Sequence, residues 1–233
     1  VAQPSALLEL ANYHRNGQLT ITPEKIISIA EVLYPEDRTI LENSFGQKIH
    51  QIYQCTEGFL ANTCAEGTLH FNEDFLVIEK KYIDDDRSRF HPVITDLLRV
   101  TQPIVRFELN DIIIEKKNCP CGSQQLAIEQ IEGRSDDILI FEDNNVIVKI
   151  FPDFFRRAII MSDPDIIDYT LLLRERNVLE LFVNGIDSHF KNAEGAIKNL
   201  LNRNGIYNVE IMRAQNSHHK KGFKLRRIIN ATR

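Results

Sequence analysis

The sequence predicts an α+β protein in two parts, a strand-rich stretch over residues 1–133 and a small ferredoxin-like α+β domain over residues 134–233. Three observations lead there. From Lys48 to Ile131 the apolar runs are short, rich in Ile, Val, Phe and Tyr, and separated by turn residues, which is how strands read. After Gly133 a hairpin pattern gives way to the order β-α-β-β-α-β, the plan of a ferredoxin-like fold. The chain has 233 residues, 43% hydrophobic and 26% charged, enough apolar material for one large core or two modest ones. No Pro/Ser-rich linker marks the change at Gly133, so the join is expected to be a compact hinge.

Taken in order, Pro4-Ser5 open a helical pattern over Ala6 to His14, and Gly17 stops it. Ile26 to Leu33 is apolar enough for either a strand or a helix, and its period does not decide. Lys48 to Tyr53 reads as a strand delivering a Tyr53–Glu57 turn. Leu69 to Phe71, Phe75 to Glu79 and Val93 to Thr95 follow as strands, with Asp84 to Arg87 a solvated charged turn. Pro103 to Phe107 and Ile112 to Glu115 flank the Leu109-Asn110-Asp111 turn, and Ile128 to Ile131 closes the first part.

In the second part, Asp137 to Phe141 and Val146 to Ile150 flank Asn144-Asn145, residues that tolerate the positive φ of a tight hairpin. Phe154 to Met161 is helical after Pro152, which suits a first turn. Ile167 to Arg174 and Val178 to Val183 are strands. Ser188 to Asn202 is an amphipathic helix with Phe190, Ala193, Ile197, Leu200 and Leu201 on one face, ended by Gly205. Val209 to Met212 is a strand, and Leu225, Ile228 and Ile229 suggest a final one.

Several classes of function are disfavoured. No run of eighteen apolar residues offers a membrane-spanning helix. A net charge of −5 argues against nucleic-acid or anionic-membrane binding by the chain as a whole. Four cysteines are too few for a disulfide-dense scaffold and fit metal binding in a reducing cytoplasm better. Val1-Ala2-Gln3-Pro4 reads like the interior of a longer protein.

Cys64 and His70 stand with five residues between them, and downstream Cys119 and Cys121 flank Pro120, with Gly122 after. Three thiolates and an imidazole are the donor set of a closed tetrahedral structural zinc site. The bland alternative is reduced core cysteines beside an unrelated histidine. Cys55 lies apart from this set. Four further segments carry chemistry: Tyr53-Gln54-Cys55-Thr56-Glu57, Arg106 to Asp111, Gly133-Arg134-Ser135-Asp136-Asp137, and Gly222-Phe223-Lys224-Leu225-Arg226-Arg227-Ile228. Each alone reads equally as a surface turn or a solvated lysine.

In this order, from Pro4 to Arg227, these segments resemble the later half of an adenylate-forming (AMP-binding) enzyme, of the phenylacetate–CoA ligase-like and coenzyme synthetase-like branch. The resemblance favours a strand over Ile26–Leu33 and a helix from after Pro35 to Phe45. It implies that residues 1–133 belong to the large AMP-binding domain with its metal site, and 134–233 to the small mobile domain. Tyr53 would lie on adenine, Thr56 would touch phosphate, and Glu57 would hold Mg²⁺ near the phosphates. Gln54 stands where the family usually has glycine. Asp111, with Arg106 nearby, would take the ribose hydroxyls, Arg134 would approach the ribose, and Asp136 would be the pivot. Lys224 would reach the reacting carboxylate and α-phosphate.

The implied activity joins a carboxylic acid to AMP at the expense of ATP, releases pyrophosphate, and passes the acyl group to CoA or another acceptor. The implied ligands are structural Zn²⁺, ATP or AMP with Mg²⁺, and CoA. The glycine-rich phosphate loop of such enzymes is absent here, so the chain by itself is expected to be inactive. Two other classes compete. One is a non-catalytic zinc-stapled module that binds nucleotide or protein. The other is a structural core with a basic tail for nucleic acid, since Ser217 to Arg233 has no acidic residue. The sequence leaves a homodimer open and names neither the acid nor the acceptor.

Overall fold

The computed structural model describes residues 1–143, 146–218 and 225–232, and divides them between two compact units, Val1–Gly133 and Arg134–Arg233. The predicted turn at Asn144-Asn145 and Lys224, with its neighbours Lys220 and Lys221, lie outside the described residues.

The first unit opens on helix α1 (Pro4–Arg15), whose Leu7 and Ala11 turn inward, and strand β1 (Ile26–Ser28). The apolar run was expected to extend to Leu33, yet the strand stops at Ser28. Ala30 takes a left-handed φ of 67°, which breaks extended backbone, and the Ile29 amide bonds back to Ala2. Helix α2 (Pro35–Phe45) begins at a proline and ends at Gly46, whose φ of 66° makes the left-handed cap glycine favours. Leu7, Ala11, Ile26, Leu33, Leu41 and Ile49 form the small core beneath these elements.

The rest of the unit is a nine-stranded sheet. Its strands are β2 (Ile49–Cys55), β3 (Gly58–Thr63), β4 (Leu69–Phe71), β5 (Leu76–Tyr82), β6 (Arg89–Asp96), β7 (Phe107–Glu108), β8 (Asp111–Lys116) and β9 (Ala127–Arg134), together with β1. They lie in the order β1-β2-β3-β4-β9-β8-β6-β5, with β7 against β6. The β1–β2 pair is parallel, while β2–β3, β3–β4, β4–β9, β6–β8 and β5–β6 are antiparallel. Two details differ from the sequence reading. Strand β3 follows the Tyr53–Glu57 turn directly, so that turn is a hairpin. The strand expected over Pro103–Phe107 shrinks to Phe107–Glu108, because Pro103 has no amide to donate and Arg106 takes a φ of 47°.

In the second unit a 3₁₀ turn, Ser135–Asp137, precedes the hairpin of β10 (Leu139–Asp143) and β11 (Val146–Ile150). Then come α3 (Pro152–Ser162), β12 (Tyr169–Glu175), β13 (Val178–Val183), α4 (Asp187–Arg203), β14 (Glu210–Arg213) and β15 (Ile228–Asn230). The order β-α-β-β-α-β does run along the chain. Its first strand, however, stays in the separate hairpin, and the four-stranded sheet, ordered β14-β13-β12-β15, is completed by β15. The hairpin still buries Leu139, Phe141 and Ile150 in the same core as Phe155, Ile159, Leu171, Phe190 and Ile197. Asn177, at the β12–β13 turn with a φ of 61°, holds it there: its side chain accepts from the Glu142 amide at 3.1 Å and donates to the Glu142 carbonyl at 2.6 Å. No helix among the described residues is long and apolar enough to cross a membrane.

Candidate functional site

The metal-ligand set comes together. Cys64 follows β3, His70 is the middle residue of β4, and Cys119 and Cys121 lie on the connection between β8 and β9. Strand pairing explains the meeting, because β3, β4 and β9 are successive neighbours in the sheet. The four donor atoms all lie within 4.8 Å of one another. A tetrahedral zinc site with Zn–S near 2.3 Å and Zn–N near 2.0–2.1 Å has S–S edges of about 3.8 Å and S–N edges of about 3.5 Å. Cys64 and Cys119 Sγ are 3.8 Å apart, and Cys121 Sγ is 3.4 Å from His70 Nε2.

The tautomer also fits. His70 is buried, and its Nδ1 is 3.0 Å from the Gln125 carbonyl, which can only accept, so Nδ1 carries the proton and Nε2 presents its lone pair to the sulfurs. Backbone aims the thiols: the Cys64 amide donates to Thr68, and the Gly122 amide donates to Cys119 with Gly122 at φ 76°. The Cys121 amide, then the Thr68 side chain, pull the Cys119 thiol down to about 6. At Cys121 the Ser123 amide favours the thiolate, but Cys119 and Cys64 outweigh it and hold the group above the ordinary thiol value. Such crowding of sulfurs is the electrostatic problem that a divalent cation relieves. The residues therefore fit a structural zinc ion.

The predicted nucleotide-binding residues divide. Tyr53, on β2, and Asp111, at the start of β8, meet: the phenol donates to Asp111 Oδ2 at 2.5 Å across 58 residues of sequence. The Tyr53 ring also packs edge-on against Phe71, 6.2 Å between centroids, which orients its face. His91 Nδ1–H donates to the Asp111 carbonyl at 2.9 Å, fixing the backbone from which that carboxylate projects. Thr56 and Glu57 form the two-residue turn between β2 and β3, and Arg99 Nη1 donates to the Thr56 carbonyl at 2.8 Å. Beside them, burial and the Glu57 carboxylate push the Cys55 thiol up to about 11, so Cys55 stays protonated.

Arg106 is placed otherwise. Its amide donates to Thr95 Oγ1, and its exposed guanidinium binds Glu79 through two bonds of 2.9 and 3.0 Å. Arg134 ends β9, and Asp136 sits in the 3₁₀ turn just after it. Gly133 between the two units has a φ of 128°, a conformation glycine adopts without strain. Asp137, not singled out in the sequence, is buried and paired with Arg226.

Sequence reading also passed over His91 and Arg99, which hold the site's backbone and lie in no motif. Their only signal is a cross-strand register that sequence does not display. A further group it missed, Asp163, Asp165 and His189, brings its donor atoms within 4.8 Å. There the Asp163 carboxylate already accepts from the Asp165 amide at 3.0 Å and the Asn192 side chain at 2.9 Å, a clamp between α4 and the segment after α3.

No protein-family model and no curated protein matches the chain. Solved structures do. The chain is similar to 2-hydroxyisobutyryl-CoA ligase in the postadenylation state with R3-HIB-AMP, at 19% identity over 98% of this chain and 53% of that one, with a TM-score of 0.70. It is similar to coronafacic acid ligase from Pectobacterium brasiliense, at 13% identity over 92% of this chain and 45% of that one, with a TM-score of 0.57. It is similar as well to the anthranilate CoA ligase AuaEII in complex with anthranoyl-AMP, at 12% identity over 94% and 46%, with a TM-score of 0.58. The chain thus has the fold of part of an adenylate-forming ligase and spans about half the length of the solved chains it matches.

Proposed function

We propose that this chain is part of an ATP-dependent ligase that converts a carboxylic acid and ATP to acyl-AMP and pyrophosphate, then passes the acyl group to CoA or another nucleophile. The observation that carries the reading is the meeting of Tyr53 and Asp111. We assign the Tyr53 ring face to stacking on a base, and the Asp111 carboxylate that accepts from its phenol to the ribose hydroxyls of the same nucleoside. The shared fold supports it, since 2-hydroxyisobutyryl-CoA ligase, which has that fold, has been solved with 2-HIB-AMP and with 2-HIB-AMP and CoA.

In the first step the carboxylate oxygen attacks the α-phosphorus, the bond to the β-phosphate oxygen breaks, and pyrophosphate leaves with the electron pair. Negative charge grows on the α-phosphate oxygens as this happens. Thr56 and Glu57, on a hairpin turn braced by Arg99, are assigned to the phosphate side, and Lys224 to the developing charge. Mg²⁺, held by Glu57, would supply charge neutralisation there. In the second step the acceptor attacks the acyl carbon and AMP departs, with the second unit turning about Asp136 between the steps. The zinc site is closed by four protein donors, so its role is to staple β3, β4 and the segment before β9.

The chain alone is assigned no turnover, because a phosphate loop is not among its residues. ATP–pyrophosphate exchange by the full-length protein, with phenylacetate, 2-hydroxyisobutyrate and anthranilate as probe acids, tests the reading. Glu57→Ala and Asp111→Ala are expected to lower exchange by about 100-fold or more. Exchange unaffected by either substitution refutes it.

A further inference from the structure

Asparagine followed by glycine occurs three times, at Asn16-Gly17, Asn184-Gly185 and Asn204-Gly205. Such a pair carries its own reaction. The glycine backbone nitrogen attacks the carboxamide carbon of the asparagine and closes a succinimide, and glycine has no Cβ to crowd the approach. The rate then depends on whether the two groups are free to meet.

At two of the three pairs they are held apart by hydrogen bonds. Asn16 and Asn204 cap the C-terminal ends of α1 and α4, with ψ of 5° and 11°. The Gly17 amide donates to the His14 carbonyl at 3.1 Å, and the Gly205 amide to the Asn202 carbonyl at 3.0 Å. The Asn204 carboxamide is engaged as well, donating to the Leu200 carbonyl at 2.8 Å. Attack at either place must first break these bonds.

Asn184-Gly185 is built differently. The pair leads from β13 into α4, and both residues are exposed. The Asn184 amide donates to the Asp168 carbonyl at 2.9 Å, which anchors the end of the strand. Neither the Asn184 carboxamide nor the Gly185 amide has a hydrogen-bond partner among the described residues. Gly185 has a φ of 132°, and a Cβ placed on it would stand 2.3 Å from His189 Nδ1, so packing requires glycine here. The product also suits its surroundings, because a carboxylate at the entry to α4 faces the positive end of the helix dipole.

We infer that Asn184 is a self-modification site, at which the Gly185 nitrogen displaces ammonia from the side chain and water opens the resulting imide to aspartate or isoaspartate. In the first step the bond from the Gly185 nitrogen to Asn184 Cγ forms and the bond from Cγ to the carboxamide nitrogen breaks. The Gly185 amide proton passes to solvent, and the carboxamide nitrogen leaves as ammonia. Water then adds to one of the two imide carbonyls, so the reaction needs no oxidant and no second substrate. Each event adds one negative charge to a chain of net charge −5. The site is independent of the ligase reaction proposed above.

Peptide mapping by mass spectrometry, on protein held at physiological temperature and neutral pH, tests this. Asn184 is expected to lose its amide about tenfold faster than Asn16 and Asn204, with isoaspartate the larger share of the product. In urea-unfolded protein the three sites should convert at rates within about threefold of one another, since the hydrogen bonds that separate them are gone. Gly185→Ala would clash with His189, so Asn184→Gln is the variant of choice. Its longer side chain closes an imide more slowly, and the acidic species seen by isoelectric focusing should fall while the melting temperature holds. The inference is overturned if Asn184 keeps its amide as long as Asn16 and Asn204, or if aspartate forms there without isoaspartate. It is equally overturned if the unfolded chain shows the same tenfold preference, which would make it a property of local sequence, or if Asn184→Gln leaves the acidic species unchanged.

Discussion

Arg89 and Glu132 offer the sharpest test of how the first unit holds the end of β9. The Glu132 side chain is wholly buried, one residue before Gly133, and Arg89 on β6 grips it with two bonds, Nε to Oε2 at 2.8 Å and Nη2 to Oε1 at 2.9 Å. Burial works to lower the Arg89 pKa, but Glu132 and Asp84 more than offset it and hold the guanidinium above its ordinary value. Replacing Arg89 by Met removes the two-bonded partner of a buried carboxylate, and breaking such a pair costs about 3–5 kcal/mol. For a unit of residues 1–133 that is a melting shift of about 11–18 °C.

Glu132→Met should cost less, about 1–3 kcal/mol, because Arg89 is 15% exposed in its side chain and keeps Asp84 at 3.5 Å. The double variant Arg89→Met/Glu132→Met removes both charges of the buried pair, while Asp84 still accepts from the Ser88 hydroxyl and the backbone amides of residues 88 and 89, and should return to within about 1 kcal/mol of wild type. The chain has no tryptophan, so urea unfolding is followed by circular dichroism or by tyrosine fluorescence. Strictly additive single substitutions, or an Arg89→Met cost below about 1 kcal/mol, would refute the reasoning. The outcome bears on function, since Glu132 anchors the strand from which the proposed hinge departs.

Three further outcomes are expected. The purified protein should carry about one zinc per chain by elemental analysis, and chelation should expose the thiols of Cys64, Cys119 and Cys121 to Ellman's reagent while Cys55, with its thiol at about 11, reacts slowly; a metal-free protein with the same melting temperature would count against the site. Asp111→Ala should weaken AMP binding to the full-length protein about tenfold or more, and Tyr53→Phe about threefold or less because the ring face remains; calorimetry showing the reverse order would reassign the two residues. Because Asp137 is raised in the folded protein, its stabilising contribution is present below the unfolded carboxylate value near 4 and is lost as pH rises through the folded value. Asp137→Asn should therefore gain stability relative to wild type between pH 4 and pH 7, and thermal melts in which it loses stability over that range would contradict the assignment.

Much was legible in the sequence because it is local. Prolines at the starts of α1 and α3 and the apolar face of α4 are written within a turn or two of where they act, whereas α2 was expected only from the family resemblance. The candidate metal donors were legible as a set too, since three cysteines and a histidine in this pattern match a known ligand set, and the structure brings their donor atoms within 4.8 Å of one another. The length of β1 and of the strand near Phe107 was not legible, because Ala30 and Arg106 take left-handed backbone that neither residue type announces.

Sequence by itself thus determined helices α1, α3 and α4 to within a residue or two, most strands and the candidate metal-donor set, because propensity, capping and side-chain chemistry act over a few neighbouring residues. Tertiary structure alone decided that Tyr53 meets Asp111, that Arg106 turns to Glu79, that Arg226 finds Asp137, and that β15 and not the hairpin completes the second sheet. Each of those depends on register between strands distant in sequence. Register is set by how whole apolar faces fit one another, which is a property of the assembled sheet and not of any one segment.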